Sequence, residues 1–304
     1  MVESLRIYNI DENKIIEMNM QDDAEYLIYE GSIDWGNVQV THNTFQYPTQ
    51  FGSIVTSTVV GSRDISISGY IVEETKEKIE DKKVLLSSII NPMQELSVIV
   101  DKWHINGKPS SNVTFGSSYK ENNSVLCKFL IQILCANPMF VLNDDNKIAI
   151  AEVEKLFHFP LILEPKGIIF GLRKSSLFTD VQNNGAVETG MIIRIKAKGN
   201  VNNLEILNVN TKDMIKINKV LKNGEEIIIN TNKGERSILG HINNEPLESY
   251  FDYFDFDSTW LQLQVGTSTF TFRSRTSDGK LDETYKQVDI ELSFKEMLYN
   301  LRGE

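Results

Sequence analysis

Apolar and polar residues alternate with a period of two along much of this chain. In Arg63–Ile71, Ile65, Ile67 and Ile71 fall on one face and Asp64, Ser66, Ser68 and Tyr70 on the other, the pattern of a half-buried strand. Gly69 inside that run predicts a bulge or a close backbone approach. The period then changes. Residues 73–92 have a charged first half, and the set Ile79, Leu86, Ile89 and Ile90 predicts an amphipathic helix over Glu77–Ile90 that ends before Pro92. A strand at Glu95–Asp101 follows. Asn106-Gly107 is placed as a two-residue hairpin turn, since both positions of such a turn need positive φ. A long strand through Phe129, Ile131 and Ile133 closes this region, and Asn137-Pro138 breaks it.

Beyond it the chain reads as nearly all strand. Asn223-Gly224 marks a hairpin between residues 216–221 and 225–230, and residues 259–266 and 268–275 read as an antiparallel pair around Gly266. Turn signals at intervals of roughly ten residues predict a β-sandwich. Near the end, Val288, Ile290, Leu292 and Phe294 define one more strand, which fits either region. A length of 304 residues favours two domains. The expected division is 1–142, with the C-terminal segment 288–304, and 143–287.

Charge narrows the partners. With 31 basic against 42 acidic residues, a net charge of −11 and no basic cluster, the chain is a poor gripper of nucleic-acid phosphates. No apolar run approaches the ~20 residues that span a bilayer. The N-terminus lacks a basic start followed by an apolar stretch, so synthesis in a cytoplasm is expected. Cys127 and Cys135 sit in one predicted strand, ~26 Å apart at ~3.3 Å per residue, which is beyond disulfide reach.

Candidate chemistry is sparse. The segment Glu248–Trp260 interleaves Asp252, Asp255 and Asp257 with aromatics, including Tyr250 and Trp260. Carboxylates beside aromatic faces suit a sugar or a protein partner, and two carboxylates at a suitable separation also suit glycoside hydrolysis. The glycine-centred oxygen pattern of a calcium loop is missing, and a connecting loop with anchored aromatics is the simpler reading. His42, His104, His158 and His241 lie far apart, none with a second ligand at metal-binding spacing. There is no G-x-S-x-G elbow, phosphate-binding glycine loop or dinucleotide fingerprint. No cofactor, metal or catalytic residue is expected.

Taken in order, several pieces resemble one family. FQYPTQFG precedes GSRDISISGYI and a helix ending in INP. Then come FLIQILCANPMF, FHFPLILEPKGIIFG, NNGAVETGMIIRIKAKG, NVNTKDMIKINKVLKNGEEIIINT and STWLQLQVGTSTFTF. The chain is similar over nearly its whole length to the distal tail proteins of long-tailed phages. It carries Thr267 and Ser268 where that family often has an asparagine after the glycine. The resemblance implies a mainly β protein: an N-terminal split β-barrel with one α-helix, and a C-terminal galectin-like or carbohydrate-module-like β-sandwich projecting outward. The C-terminal tail would return to the first domain. Six copies would close into a ring through the first domain. That ring would join the tail tube to the tail-associated lysin, spike or baseplate hub, in some relatives with receptor-binding proteins attached. No membrane and no sequence-specific nucleic acid is implied. A conduit of this kind is expected to present an acidic or neutral lumen. A carbohydrate-binding module for host-surface adhesion is the alternative, carried by Tyr250, Asp252, Asp255, Asp257 and Trp260.

Overall fold

The computed structural model describes residues 3–21, 23–49, 51–155, 171–175, 178–243 and 245–301. The chain forms two compact units, Met1–Asn143 with Leu298–Glu304, and Asp144–Met297. The first contains β1 (Ser4–Asn9), β2 (Lys14–Asn19), β3 (Tyr26–Leu27), β4 (Ile33–Asp34), β5 (Val40–Phe45), β6 (Ile54–Val60), β7 (Arg63–Val72), α1 (Lys76–Ile89), β8 (Leu96–Val100), β9 (Trp103–Pro109), β10 (Thr114–Phe115), β11 (Leu126–Cys135) and β12 (Phe140–Leu142). The strand order β11-β7-β3-β2-β1-β8-β9 is closed by pairing of β11 with β9, which makes a seven-stranded barrel. The short pair β2 and β3 runs parallel.

The alternation read from the sequence builds the barrel core. Ile65, Ile67 and Ile71 of β7 are buried, facing Phe129, Ile131 and Ile133 of β11 and the buried Leu5, Ile7, Ile16 and Met18 of β1 and β2. Each such side chain contributes roughly 1.5–3 kcal/mol by leaving water. Helix α1 lays Ile79, Leu86 and Ile89 against the same core. Its first turn is capped by the Thr75 side chain, which accepts from the Lys78 N–H. At the other end the Ile90 N–H still reaches the Leu86 carbonyl before Pro92 breaks the run.

Arg63 is the exception in this core. It is fully buried, with its guanidinium 5.0 Å from the Phe140 ring centre, and it donates to the Tyr299 carbonyl. Leu301 is buried in the same cluster. A buried cation needs such partners to offset lost hydration, so the C-terminal residues are part of what makes Arg63 tolerable.

Two glycines set close approaches in the barrel. Gly69 lies directly opposite Phe129, and β7 and β11 pair through it without a bulge. A Cβ there would stand 2.6 Å from both the Leu27 carbonyl oxygen and Phe129 Cζ. Asn106-Gly107 is not the expected turn. β8 and β9 turn at Asp101-Lys102, where Asp101 supplies the positive φ of 51°, and Gly107 sits within β9 opposite Leu96. It lies at the closing seam, where a Cβ would come within 2.7 Å of Ile133 Cγ2 and of the Leu134 carbonyl oxygen.

The second unit holds β13 (Asn146–Lys155), β14 (Gly171–Ser175), β15 (Thr179–Asn183), β16 (Ile192–Ala197), β17 (Val201–Asn202), β18 (Leu204–Asn208), β19 (Met214–Lys216), β20 (Val220–Leu221), β21 (Glu225–Asn230), β22 (Ser237–Ile242), β23 (Glu248–Ser249), β24 (Gly266–Arg275), β25 (Leu281–Asp282) and β26 (Val288–Phe294). One sheet has the order β14-β13-β26-β16-β21-β22-β23 and the other β15-β24-β18-β19. Inward residues of both meet in one core: Ile193, Ile195, Ile227, Ile229, Ile290 and Leu292 from the first sheet, and Val181, Ile206, Ile215, Phe270 and Phe272 from the second. This is a β-sandwich.

Three sequence expectations are corrected here. The strand Val288–Phe294 does not return to the first unit. It pairs with β13 and β16, where Ile290 and Leu292 register with Ile195 and Ile193, and the first unit regains the chain only at Leu298. Gly224 does take a positive φ of 83°, but the flanking strands are not partners: β20 pairs with β17, and β21 with β16 and β22. β24 likewise pairs with β15 and β18 rather than with residues 259–265. In each case burial of an apolar face in the sandwich overrides the nearest local turn signal. His158 lies outside the described residues.

Gly107→Ala should overpack the seam and destabilise the protein by about 1–3 kcal/mol, read as a lower denaturation midpoint. An unchanged midpoint would show that the β9–β11 contact is not tightly packed.

Candidate interaction surfaces

Strands β5 and β6 form a separate two-stranded hairpin that pairs with no other strand among the described residues. Every residue of both strands is exposed. The longer strand has seven residues, about 23 Å of length at ~3.3 Å per residue. Its roots are pinned by backbone hydrogen bonds between Gly61 N–H and the Gln39 carbonyl, and between Gln39 N–H and the Ser62 carbonyl. The apolar content is high: Val40, Phe45, Tyr47, Phe51, Ile54, Val55, Val59 and Val60 are all exposed. Phe45 and Tyr47 pack edge to face at 5.0 Å near the tip. From Asn37 to Gly61 there is no Asp, Glu, Lys or Arg, although 24% of the chain is charged. Isolated edges are normally blunted by charge, especially lysine, and this one is not. The absence of charge was available in the sequence, but periodicity alone does not separate an exposed hairpin from a half-buried one.

The aromatic and acidic segment lies on the sandwich, strapped along β19. The Asn218 N–H donates to the Tyr253 carbonyl, Asp255 N–H to that of Lys216, and Thr259 N–H to that of Met214. Among the five candidate residues, three are engaged by their own chain. Tyr250 is buried, with the Lys219 ammonium 3.8 Å from its ring centre and 4.5 Å from that of Tyr253. Lys219 also pairs with buried Glu225 at 2.7 Å. Burial opposes the charged lysine, but Glu225 and Tyr250 outweigh it and raise its pKa. Trp260 stacks on Phe254 at 4.9 Å, and the Arg236 guanidinium lies 5.5 Å from its ring centre. Asp255 accepts from Asn218 Nδ2 at 2.7 Å and Lys216 Nζ at 2.9 Å. These bonds, with one from the Asp257 N–H, hold its carboxyl down at about 2. Asp252 and Asp257 are exposed, as are the rings of Phe251 and Phe256.

The three described histidines do not converge. His42 is on the hairpin beside Thr58, His104 meets Asn143 at 2.7 Å, and His241 is 3.9 Å from Glu226. Among the described residues no group of three His, Cys, Asp or Glu is placed to hold a metal ion, and no helix is long and apolar enough to cross a membrane. Cys127 and Cys135 are free, buried thiols, and burial pushes the Cys135 thiol up to about 12. That keeps it protonated and unreactive.

Among the described residues, then, the chain is a barrel carrying one α-helix followed by a two-sheet sandwich, with no assembled metal site. Two family models match in tandem: the phage tail protein RIFT-related domain over residues 19–135, and the C-terminal domain of the siphovirus-type tail component over residues 184–288. The chain belongs to the siphovirus-type distal tail protein family, a structural tail component and not an enzyme. No curated protein sequence matches it. Its fold is similar to that of the SPP1 Dit protein, described as a paradigm of the hub of the adsorption apparatus in phages infecting Gram-positive hosts. That likeness has a TM-score of 0.65 at 10% identity and covers 96% of this chain and 98% of the other. A chain of the phage P2 baseplate in its activated, calcium-bound conformation matches with a TM-score of 0.50 at 12% identity, covering 99% of this chain and 100% of that one.

Because the folded pKa of Asp255 is depressed, its stabilising effect is present above its ordinary value of 3.8 and is lost as pH falls toward about 2. Acid unfolding between those values should therefore be less steep for Asp255→Asn than for the unaltered chain. Identical acid transitions would show that Asp255 contributes nothing through its charge.

Proposed function

We infer that this protein is the hub at the distal end of a phage tail, where copies close head to tail into a ring joining the tail tube to the tail-tip or baseplate proteins. The observation that carries this reading is the uncharged, wholly exposed hairpin β5–β6. A long apolar hairpin of this kind invites uncontrolled pairing unless a partner covers it. A heterologous contact that closes on itself covers every such hairpin with an identical neighbour and leaves none free. The ring number of six rests on the family resemblance. The acidic balance suits a conduit that lets DNA pass without holding its phosphates. Nine acidic residues against two basic ones among the first 34 make the start of the barrel the most acidic part of the chain.

The second reading, a contact with a cell-surface sugar or a receptor-binding protein, belongs to the sandwich. Its support is the pair of exposed rings Phe251 and Phe256 beside the exposed Asp252 and Asp257. Phe256→Ala should leave folding intact and abolish any glycan or cell-wall binding by this protein. Binding that survives the change would place the contact elsewhere.

Replacing residues 40–60 by a short glycine-serine turn should abolish ring formation, read by light scattering and electron microscopy of concentrated protein with and without its neighbouring tail proteins. The barrel itself should still fold. Rings that persist without the hairpin, or an intact chain that stays monomeric even with those neighbours, would defeat the proposal.

A further inference from the structure

Helix α1 presents Lys83 inward, across from the segment that leads into β11. The Lys83 side chain is only 11% exposed. Its ammonium lies 2.8 Å from Glu80 Oε1, one turn earlier on the helix, and 3.3 Å from Asn122 Oδ1. The Phe115 ring centre is 5.7 Å away, and the buried Cys127 pairs backbone to backbone with Asn122. Asn122 is held from its own side too, since its N–H donates to the Ser118 carbonyl at 2.9 Å. An amine, a carboxamide and a carboxyl are thus gathered on one wall of the barrel, with an aromatic ring beside them.

We propose that Lys83 and Asn122 join in an intramolecular isopeptide bond, with Glu80 as the proton carrier. The 3.3 Å hydrogen bond from Lys83 Nζ to Asn122 Oδ1 holds the amine beside the carboxamide whose Cγ it would attack, so the two groups need no long-range search to meet. The step balances without any oxidant. Glu80 takes a proton from the Lys83 ammonium, and the freed amine forms the Nζ–Cγ bond to Asn122. The Cγ–Nδ2 bond breaks as Glu80 passes a proton to the departing nitrogen, and ammonia leaves, taking up the second proton as ammonium. The carboxylate is restored, and no group is oxidised or reduced. Glu80 is 54% exposed and can exchange its proton with solvent, whereas the Lys83 amine, 11% exposed beside the Phe115 ring, is largely kept from water, which favours aminolysis over hydrolysis of the amide.

The bond would tie α1 covalently to the entrance of β11, across 39 residues of chain. Helix and barrel would then be one cross-linked body. That would matter for a part that must bear load, and it does not depend on whether the protein forms a ring.

Intact-mass measurement on the full chain, aged until its mass is constant, tests this directly. The expected mass is lower than the sequence mass by one ammonia, about 17 Da, and a tryptic digest should contain a branched peptide linking Lys83 to Asn122. K83R and N122A should each keep the full mass of their own sequence. E80Q should form the link about a hundredfold more slowly. A full-length chain at its unreduced sequence mass would overturn the proposal. So would an ammonia loss that maps to a succinimide at Asn184-Gly185 or Asn223-Gly224 rather than to a branched peptide.

Discussion

Everything in the first unit depends on closure of the barrel between β9 and β11. Seven strands cannot hide their apolar faces as an open sheet, and the two ends must meet closely enough for their backbones to pair. Two registered residue pairs, Ile133 with Pro109 and Leu134 with Lys108, and a hydrogen bond from the Ser110 N–H to the Gln132 carbonyl make that junction. The contact is tight because Gly107 has no side chain to hold the strands apart. Once closed, the barrel gives Ile65, Phe129, Leu5 and Ile105 a common interior, gives α1 a surface to lie on and gives Arg63 a site away from water.

The sandwich follows a different logic. Its sheets are not closed, so their edges need cover. Part of that cover is the aromatic segment strapped along β19, whose Tyr250, Phe254 and Trp260 pack inward or on one another. Asp255 fastens the strap through Lys216 and Asn218. A segment that reads as candidate chemistry is, at three of its five candidate positions, spent on holding itself in place.

Much of this was legible in the chain. The period-two faces of β7, β11 and β26 and the helix around Ile79 and Leu86 were plain, because each buries one side and wets the other. Partner choice was not legible. Asn223-Gly224 announces a turn, but which strands flank it as partners is decided by the whole sandwich core. Asn106-Gly107 looks like a turn because the same glycine that permits positive φ also permits close approach, and sequence does not distinguish the two uses. The candidate contact surface was half visible. FQYPTQFG stood out as a family trait, but the exposure of β5 and β6 needed the fold, and the meeting of Lys83 with Asn122 has no sequence signature at all.

The chain leaves the barrel unit after Asn143 and re-enters it at Leu298, where the short strand Met297–Leu298 pairs with β12 on the extension of the barrel sheet beyond β9. The sandwich is therefore a cassette set into a hairpin-like opening. Such an arrangement lets one module be exchanged, enlarged or trimmed while the other keeps its register. A lineage of these proteins can thus rework the inserted sheets without disturbing the pairing that surrounds them.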